Sequence, residues 1–183
     1  MLSKNKYYLI SSNFGNGAPE IIGICEELRE LGVKNFIFIG VAGIISNRIE
    51  EGECVVINRA FSGEGVTSYY SQKEEFELNE SEWATQYLTK NNCKYAACFS
   101  TDAPFRETIS LLNYCREKKV DLIEMECASL FAFSEFYSLN LVCFLFGADK
   151  LTEEWFPPKN FNKITEVEEF FNNLNYNDID DLL

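Results

Sequence analysis

The sequence contains no histidine, and this absence removes several kinds of chemistry at once. Ser-His-Asp and Cys-His catalysis, histidine metal ligation and imidazole acid–base chemistry all require a residue that the chain lacks. Any chemistry in this protein must therefore run on carboxylates, arginine or lysine side chains, hydroxyl groups or backbone amides.

Long apolar runs and paired cysteines are absent as well. No apolar stretch approaches the length needed to span a bilayer, and the opening MLSKNKYYLISS lacks the apolar core of a signal peptide. The seven cysteines are scattered singly, with no CxxC pair. We interpret them as reduced, mostly buried thiols, and we expect a cytoplasmic protein.

Positive charge is scarce. The chain carries 16 lysine and arginine residues against 29 aspartate and glutamate residues, a formal net charge of −13. The average field of such a protein repels phosphate backbones and anionic lipid surfaces. We therefore expect neither nucleic acid nor a membrane as a partner, whereas a small-molecule ligand fits this charge.

What the sequence does contain is an alternation of apolar strands and amphipathic helices. Its 183 residues, 46% of them hydrophobic, suffice for one domain with a core. The patterns predict helices from Pro19 to about 31 and over 80–91, 106–119 and 126–137, and strands over 7–11, 36–45, 53–61, 94–100, 120–124 and 139–149.

This alternation predicts an α/β fold, a three-layer sandwich in which helices flank a mixed central sheet on both faces. We expect the domain to cover residues 1–160. After Pro157 and Pro158 the composition shifts to asparagine, acidic residues and phenylalanine, which indicates a C-terminal helix and acidic tail over 161–183.

The stretch DLIEMECASL, residues 121–130, places Glu124 and Glu126 where a buried strand turns into a helix. Burying an ionised carboxylate is unfavourable unless hydrogen bonds compensate it. Two residues apart in an extended segment, the two side chains are expected to point to the same face. One interpretation is a capping or ion-paired glutamate at the helix start.

Four stretches, in this order, resemble the nucleoside phosphorylase/nucleosidase superfamily, which includes purine nucleoside phosphorylases, uridine phosphorylases and methylthioadenosine nucleosidases. They are FGNGAPEIIGICEEL, FIFIGVAGII with IEEGECVVINRAF, STDAPFRET, and IEMECASLF followed by a strand ending in GAD. The resemblance covers about residues 10–150. It implies cleavage of the N-glycosidic bond of a nucleoside, either a purine nucleoside or uridine, giving the base and ribose 1-phosphate or ribose. It implies no metal or organic cofactor, with phosphate as the candidate co-substrate.

The resemblance also implies roles for the IEMECASLF residues. Glu126 would accept hydrogen bonds from the vicinal ribose hydroxyls, Met125 would pack on the sugar, and Glu124 would join them at the ribose. The two oxygens of a carboxylate match two neighbouring hydroxyls, and such charge-assisted hydrogen bonds are strong. A carboxylate also places negative charge beside a sugar that becomes cationic as the bond breaks.

The base is expected near two further motifs. By resemblance, Asp149 would protonate the departing base, which leaves more easily as a neutral molecule. The alternative is an aspartate that starts a turn before Lys150. In STDAPFRET, Phe105 would stack on the base and Arg106 would hydrogen bond to it. Alternatively, the RET part of this motif is only the first turn of the next helix.

The phosphate region departs from the family pattern. Gly40, Glu64 and Gly65 resemble residues beside the sugar and phosphate. However, Phe38 stands where phosphorylases have an arginine, and Val41 stands where they have a hydroxyl. An apolar pair does not neutralise a dianion, so we expect weak phosphate binding.

Three readings compete. The first is a divergent, N-terminally short enzyme that cleaves a nucleoside with phosphate or water. The second is a catalytically inactive nucleoside-binding module, and the third is a structural subunit that pairs with a full-length homologue. Family resemblance favours the first. Aromatic residues in FSGEGVTSYY and FAFSEFYSL, together with the resemblance, also predict a homo-oligomer.

Overall fold

The structure, a computed structural model, describes residues 15–78, 94–152 and 154–159. Three sequence-based predictions lie outside these residues: the strand over 7–11, the helix over 80–91, and the C-terminal helix and acidic tail over 161–183.

Helices and strands alternate along the described residues, as the sequence pattern predicts. The α-helices are α1 (Ala18–Glu30), α2 (Ile109–Glu117) and α3 (Cys127–Tyr137); the strands are β1 (Asn35–Ile44), β2 (Cys54–Gly63), β3 (Glu75–Glu77), β4 (Lys94–Thr101), β5 (Leu122–Glu124), β6 (Asn140–Leu151) and β7 (Trp155–Phe156). Two short 3-10 helices, Val66–Tyr69 and Pro104–Arg106, lie in the loops after β2 and β4.

The main difference from the predicted elements is at the start of α2. The sequence pattern predicts a helix from residue 106, but the α-helix begins at Ile109, and a 3-10 turn over Pro104–Arg106 precedes it. Thr108 is the N-cap, and its Oγ1 accepts a hydrogen bond from the backbone N–H of Leu111 at 3.3 Å. Arg106 and its neighbours are therefore not the first turn of this helix, because the threonine cap fixes a later start.

The sheet is mixed, as predicted. Its order is β3-β2-β4-β5-β1-β6-β7, with an additional pairing between β2 and β6. The β2/β4, β4/β5 and β1/β6 pairs are parallel, whereas β1/β5, β2/β6, β2/β3 and β6/β7 are antiparallel. Because β2 pairs with both β4 and β6, five strands close into a ring. The three-layer stacking stays a prediction.

Hydrophobic clusters cover both faces of the sheet. Strand β4 shows the alternation: Ala96 and Cys98 join one cluster, whereas Ala97 and Phe99 join the other. The first cluster includes Ile21, Ile22 and Cys25 of α1 and the buried apolar residues of α3, and the second includes the buried residues of α2. In α3 all residues from Cys127 to Phe133 are buried, as expected for a helix packed on several sides.

No helix within the three described ranges is both long enough and apolar enough to cross a membrane.

Candidate active site

A pocket of about 580 Å³ opens near the carboxyl ends of β1, β4, β5 and β6. Ligands of open α/β sheets gather at this kind of edge. The walls are mostly apolar, and the polar groups come from separate elements: Glu124 at the end of β5, Asp149 near the end of β6, and Glu107 between the Pro104–Arg106 turn and α2. The pocket thus combines apolar walls with carboxyl groups.

Glu124 has its carboxylate engaged in the start of α3. The side chain is buried and accepts hydrogen bonds from the backbone N–H groups of Glu126 and Cys127, both at 2.7 Å, and from the hydroxyl of Ser100. Ser100 Oγ in turn accepts the N–H of Ala128 at 2.8 Å. Burial raises the pKa of Glu124 to about 6, while the serine and backbone donors act against that rise. These contacts favour a positioning role, and the ribose contact expected of Glu124 stays a prediction.

Glu126 takes a different role from the capping one considered above. It occupies the N-cap position of α3, but its side chain makes no capping hydrogen bond there. Its Oε1 instead accepts the backbone N–H of Gly17 at 2.5 Å, and its Oε2 accepts that of Met125 at 3.2 Å. Because Glu124 and Ser100 satisfy the first N–H groups of α3, the Glu126 carboxylate is directed across to the start of α1.

Met125 lies between these two glutamates and lines the pocket. A Cβ added at Gly17 would lie 3.8 Å from its Cε, so the methionine reaches the first residue before α1. Gly17 has a positive φ of 98°, a conformation that side-chain-bearing residues rarely adopt. The turn before α1 therefore packs against the segment in which the ribose-binding residues are predicted.

Asp149 lines the pocket and lies within β6, which continues to Leu151. The alternative of an aspartate that starts a turn is therefore wrong. Its Oδ2 accepts the indole N–H of Trp155 at 2.6 Å, because the antiparallel pairing of β6 with β7 brings Leu151 opposite Trp155. A Cβ on Gly43 of β1 would lie 3.5 Å from the same oxygen, so Asp149 packs against this glycine.

Glu107 is a pocket carboxyl group to which the sequence assigned no role. Burial and the nearby charge of Asp149 raise its pKa to about 7. The two carboxyl groups therefore differ: Asp149 accepts an indole N–H, whereas Glu107 is held partly in its neutral form at neutral pH.

The base-binding candidates are both exposed. Phe105 lines the pocket and is 99% exposed, so its ring is accessible to a planar ligand. Arg106 is exposed on the same turn and is not among the described residues that line the pocket. The geometry thus places Phe105 at the pocket mouth, and the contact of Arg106 with a base stays a prediction.

The phosphate-region candidates are engaged in internal packing. A Cβ on Gly40 would come within 2.9 Å of the ring of Phe38, which belongs to the core. Glu64 is buried and accepts the backbone N–H groups of Val66 at 2.6 Å and Thr67 at 3.1 Å, so it stabilises the first 3-10 helix. These contacts favour structural roles for Gly40 and Glu64.

Gly65, the third phosphate-region candidate, donates its N–H to Asp102 at 2.9 Å. Val41, which follows Gly40, lines the pocket. No lysine or arginine lines this pocket among the residues that the structure describes. The phosphate role of all three candidates stays a prediction.

One buried cluster of residues with the chemistry of metal ligands includes the pocket residue Glu124. Cys98, Glu124 and Cys127 have ligand atoms within 4.8 Å of one another and are all buried. Burial raises the pKa of both thiols well above the usual value, and Glu124 is already hydrogen bonded to Ser100 and backbone donors. We assign this cluster to the core, because neutral thiols and an occupied carboxylate describe packing rather than a preformed metal site.

Comparison with known proteins identifies the family of the chain. The family profile of the Phosphorylase superfamily matches residues 15–175. The chain belongs to this superfamily. Its sequence is 29% identical over 147 residues to a DeoD-type purine nucleoside phosphorylase of Brevibacillus brevis, covering 75% of this chain and 61% of that protein.

Two other relatives extend the comparison. A guanosine phosphorylase of Halorubrum lacusprofundi is 26% identical over 123 residues, which cover 64% of this chain and 51% of that protein. The uncharacterized protein R802 of Acanthamoeba polyphaga mimivirus is 25% identical over 182 residues, covering 96% of this chain and 66% of that protein. The alignments with this phosphorylase-superfamily chain thus span between 51% and 66% of the length of these curated relatives.

Sequence reasoning missed three polar residues of this superfamily member. Ser100 and Glu107 both lie within the STDAPFRET motif, so the motif itself was the available signal. Trp155 carries no such signal, because only the β6–β7 pairing brings it to Asp149.

Proposed function

We propose that the protein cleaves the N-glycosidic bond of a nucleoside and releases the base together with ribose or ribose 1-phosphate. The observation that carries this proposal is that Glu124 and Glu126 have different hydrogen-bond partners at the start of α3. Glu124 and Ser100 satisfy the helix N-terminus, so the carboxylate of Glu126 is directed away from it, beside the pocket-lining Met125.

The proposed binding mode places the ribose at Met125 and Glu126 and the base between Phe105 and Asp149. Carboxylates near the sugar stabilise the positive charge that develops as the bond breaks. A purine is the favoured base, because the named relatives include a purine nucleoside phosphorylase and a guanosine phosphorylase. The mostly apolar walls of the pocket suit a planar heterocycle.

The proposed nucleophile is water or phosphate, with phosphate bound weakly. Phe38 is part of the core and Val41 faces the pocket, so neither position offers a phosphate ligand. The carboxyl groups of Glu107, Glu124 and Asp149 would repel a dianion. This observation also favours a second candidate function, a nucleoside-binding module without turnover.

One experiment separates these functions. The wild-type protein is incubated with a panel of purine and pyrimidine nucleosides, with and without phosphate, and free base is measured by chromatography. Nucleoside-induced changes in melting temperature are measured in parallel. Base release supports the enzyme, and stabilisation without base release supports the binding module. If the protein shows neither base release nor stabilisation, both functions are contradicted.

We further propose a cytoplasmic homo-oligomer with a three-layer domain over 1–160. The described cysteines are free thiols, which suits a reducing compartment. Tyr69 and Phe136 are 84% and 58% exposed, and the ring of Tyr70 packs edge-on against Phe136 at 5.7 Å. These rings define an aromatic surface that a second copy would cover.

Sedimentation at micromolar concentration tests the oligomer. We expect a dimer or larger assembly for the wild type and a shift toward monomer for Phe136→Ser, because burial of an aromatic ring drives association. A wild-type protein that sediments only as a monomer contradicts this proposal.

A further inference from the structure

We propose that Trp155 is a positioning residue for Asp149. Its indole N–H holds Oδ2 of the aspartate side chain, and Oδ1 is thereby the oxygen that exchanges a proton with the nucleobase. The inference rests on the proposed nucleoside cleavage, in which Asp149 protonates the departing base. It adds to the site a residue of the edge strand β7, which none of the sequence motifs contains.

The pairing of β6 with β7 explains why Trp155 reaches Asp149. Leu151 pairs with Trp155 in antiparallel register. Asp149 lies two residues before Leu151 on the same strand, so these two side chains point to the same face of the sheet. A diagonal neighbour on the adjacent strand is within reach of an aromatic side chain. In agreement with this register, Asp149, Leu151 and Trp155 all line the pocket.

The Asp149 side chain is held from the other side by β1. Between Ala42 and Ile44 the register of β1 with β6 shifts by one residue, which places a bulge in β6 opposite Gly43. Bulges of this kind redirect side chains. A Cβ added to Gly43 would lie 3.5 Å from Oδ2 and 3.6 Å from Oδ1 of Asp149. The carboxyl group therefore packs on β1 and is hydrogen bonded to β7.

The hydrogen bond makes the two oxygens of Asp149 unequal. Nε1 of Trp155 lies 2.6 Å from Oδ2, and an indole nitrogen is only a donor. In a carboxylic acid the carbonyl oxygen is the better acceptor, so the indole selects Oδ2 as the carbonyl oxygen and Oδ1 as the oxygen that carries the proton. No residue of the described ranges hydrogen bonds to Oδ1, which leaves this oxygen available to a ligand.

The exposure of Trp155 favours a role at the site over a role in folding. The residue is 59% exposed, so water would satisfy the indole N–H if the aspartate did not. A hydrogen bond of this kind adds little to the free energy of unfolding. The neighbouring Phe156 is 45% exposed and lies outside the described pocket lining. Of the two aromatic residues of β7, the one at the pocket is therefore the one with a hydrogen-bond donor.

The proton balance of the reaction follows from this geometry. The bond between C1′ and the base nitrogen breaks, and its electron pair goes to the base. The proton on Oδ1 of Asp149 moves to a ring nitrogen of the base, which leaves as a neutral molecule, and Asp149 becomes a carboxylate. The oxygen of water or phosphate forms the new bond to C1′. Water then gives up a proton, which returns to Asp149; with phosphate, the proton comes from solvent.

The first test removes only the N–H of Trp155. Site-specific replacement of Trp155 by benzothienylalanine keeps the shape of the ring and puts sulfur in place of the N–H, and Trp155→Phe is a second variant without the donor. We expect kcat for guanosine to fall about 10- to 100-fold in both, a part of the 10²- to 10⁴-fold that a positioned general acid contributes. The KM of the benzothienylalanine variant should stay within a few-fold of the wild-type value, because the pocket keeps its shape.

The second substrate is 7-methylguanosine in mildly acidic buffer, where its base is cationic and leaves as a neutral molecule without receiving a proton. Both Trp155 variants should cleave it within a few-fold of the wild-type rate. Phe156→Leu, on the same strand, is the matched control and should behave as wild type with both substrates.

A double-mutant cycle tests whether Trp155 acts through Asp149. Asp149→Asn removes the acid and keeps an oxygen that can accept the indole N–H. If Trp155 acts only by positioning the acid, Trp155→Phe should cause no further loss of guanosine cleavage in the Asp149→Asn background. Losses that multiply in the double variant would show that Trp155 acts independently of Asp149 and would overturn the proposal.

The other outcomes separate this proposal from the proposed function. Base release by the wild type, with an equal loss of both substrates in the benzothienylalanine variant or with no loss of guanosine cleavage, overturns the positioning role and keeps the proposed function. Base release only from nucleosides without a purine ring has the same meaning. A wild-type protein that releases base from no nucleoside contradicts both proposals. If Trp155→Phe does not fold, the benzothienylalanine variant decides, because its ring has the shape of the native one.

Discussion

Two glutamates two residues apart do different work in this protein. Glu124 satisfies backbone donors at the start of α3, and Glu126 accepts the N–H of Gly17 before α1. The sequence motif shows both carboxylates but not which of them the helix start occupies. At the scale of single residues, this difference identifies Glu126 as the carboxylate to test for ribose binding.

Replacing Glu126 with glutamine tests the proposed ribose contact. The amide oxygen can still accept the N–H of Gly17, and only the longer hydrogen bond from the N–H of Met125 loses its acceptor, so we expect a small decrease in melting temperature. The charge-assisted hydrogen bonds to ribose are lost, at about 1.5–3 kcal/mol, so nucleoside affinity should fall roughly ten- to a hundredfold. Affinity is measured by calorimetry, with Glu117→Gln as the control for loss of one surface charge. Lower stability with unchanged affinity would assign Glu126 to the fold alone.

Replacing Glu107 with glutamine should alter how stability depends on pH. The folded-state pKa of about 7 lies above the ordinary value of 4.5, so the unfolded chain releases this proton first as pH rises. The contribution of Glu107 to the free energy of unfolding of the wild type therefore decreases as the pH rises from about 4.5 to 7. Glutamine does not ionise, so this loss of stability is absent from Glu107→Gln. The melting temperature of the variant minus that of the wild type should therefore increase between about pH 4.5 and 7 and be constant above pH 7. A difference that is constant with pH would show that Glu107 is not perturbed.

The sequence predicted some of the pocket and missed the rest for identifiable reasons. Glu124, Met125, Phe105 and Asp149 lie in motifs, and the structure brings all four to one pocket. Their chemical roles stay predictions. The pairing of Asp149 with Trp155 could not be predicted, because it depends on a two-residue strand whose existence is set by its partner β6.

At the scale of elements, the start of α3 connects the sheet to the pocket. Ser100 on β4 accepts the N–H of Ala128 and donates its hydroxyl to Glu124. Ser100 and Glu124 are paired in register on the adjacent parallel strands β4 and β5. This single hydroxyl fixes the helix relative to β4 and β5. The position of Met125 and Glu126 therefore depends on a buried hydrogen-bond network.

Replacing Ser100 with alanine should destabilise the protein. The change leaves the buried N–H of Ala128 and an oxygen of Glu124 without this partner, which costs about 1–3 kcal/mol of the free energy of unfolding. Denaturant unfolding measures the loss. Ser110→Ala, at an exposed position of α2, is the control and should change stability little. Equal stabilities for the two variants would mean that the network does not hold α3.

Strand and helix types were predictable where the chain supplies a clear pattern. The apolar runs of β1, β2, β4 and β6 give strands near the predicted bounds, because buried strands need continuous apolar side chains. The three-residue β3 and the closure of β2 onto β6 were not predicted. Both are defined by partners distant in sequence, so local patterns carry no signal for them.

At the scale of the whole molecule, negative charge dominates. The net charge of −13 and the pocket carboxyl groups act in the same direction on an anionic ligand. A long-range negative field lowers the local concentration of anions, and apolar residues at the predicted phosphate positions supply no compensating contacts. Phosphate is therefore expected to be a poor ligand.

Phosphate binding is tested by thermal unfolding. A ligand that binds only the folded state raises the melting temperature by an amount that grows with the logarithm of 1 + [L]/Kd. We expect inorganic phosphate to produce no more shift than chloride at the same ionic strength. A rise in melting temperature that begins at micromolar phosphate and exceeds that of chloride would contradict this expectation and indicate a phosphate site.

The most direct test of the central claim is a time course of free base and free sugar released from guanosine by the wild-type protein, followed by chromatography with and without phosphate. We predict that base accumulates with time and with protein concentration, with little dependence on phosphate, and that Glu126→Gln releases it much more slowly. The contrary result is that guanosine and a panel of other purine nucleosides all stay intact at high protein concentration. That result would contradict nucleoside cleavage by this protein.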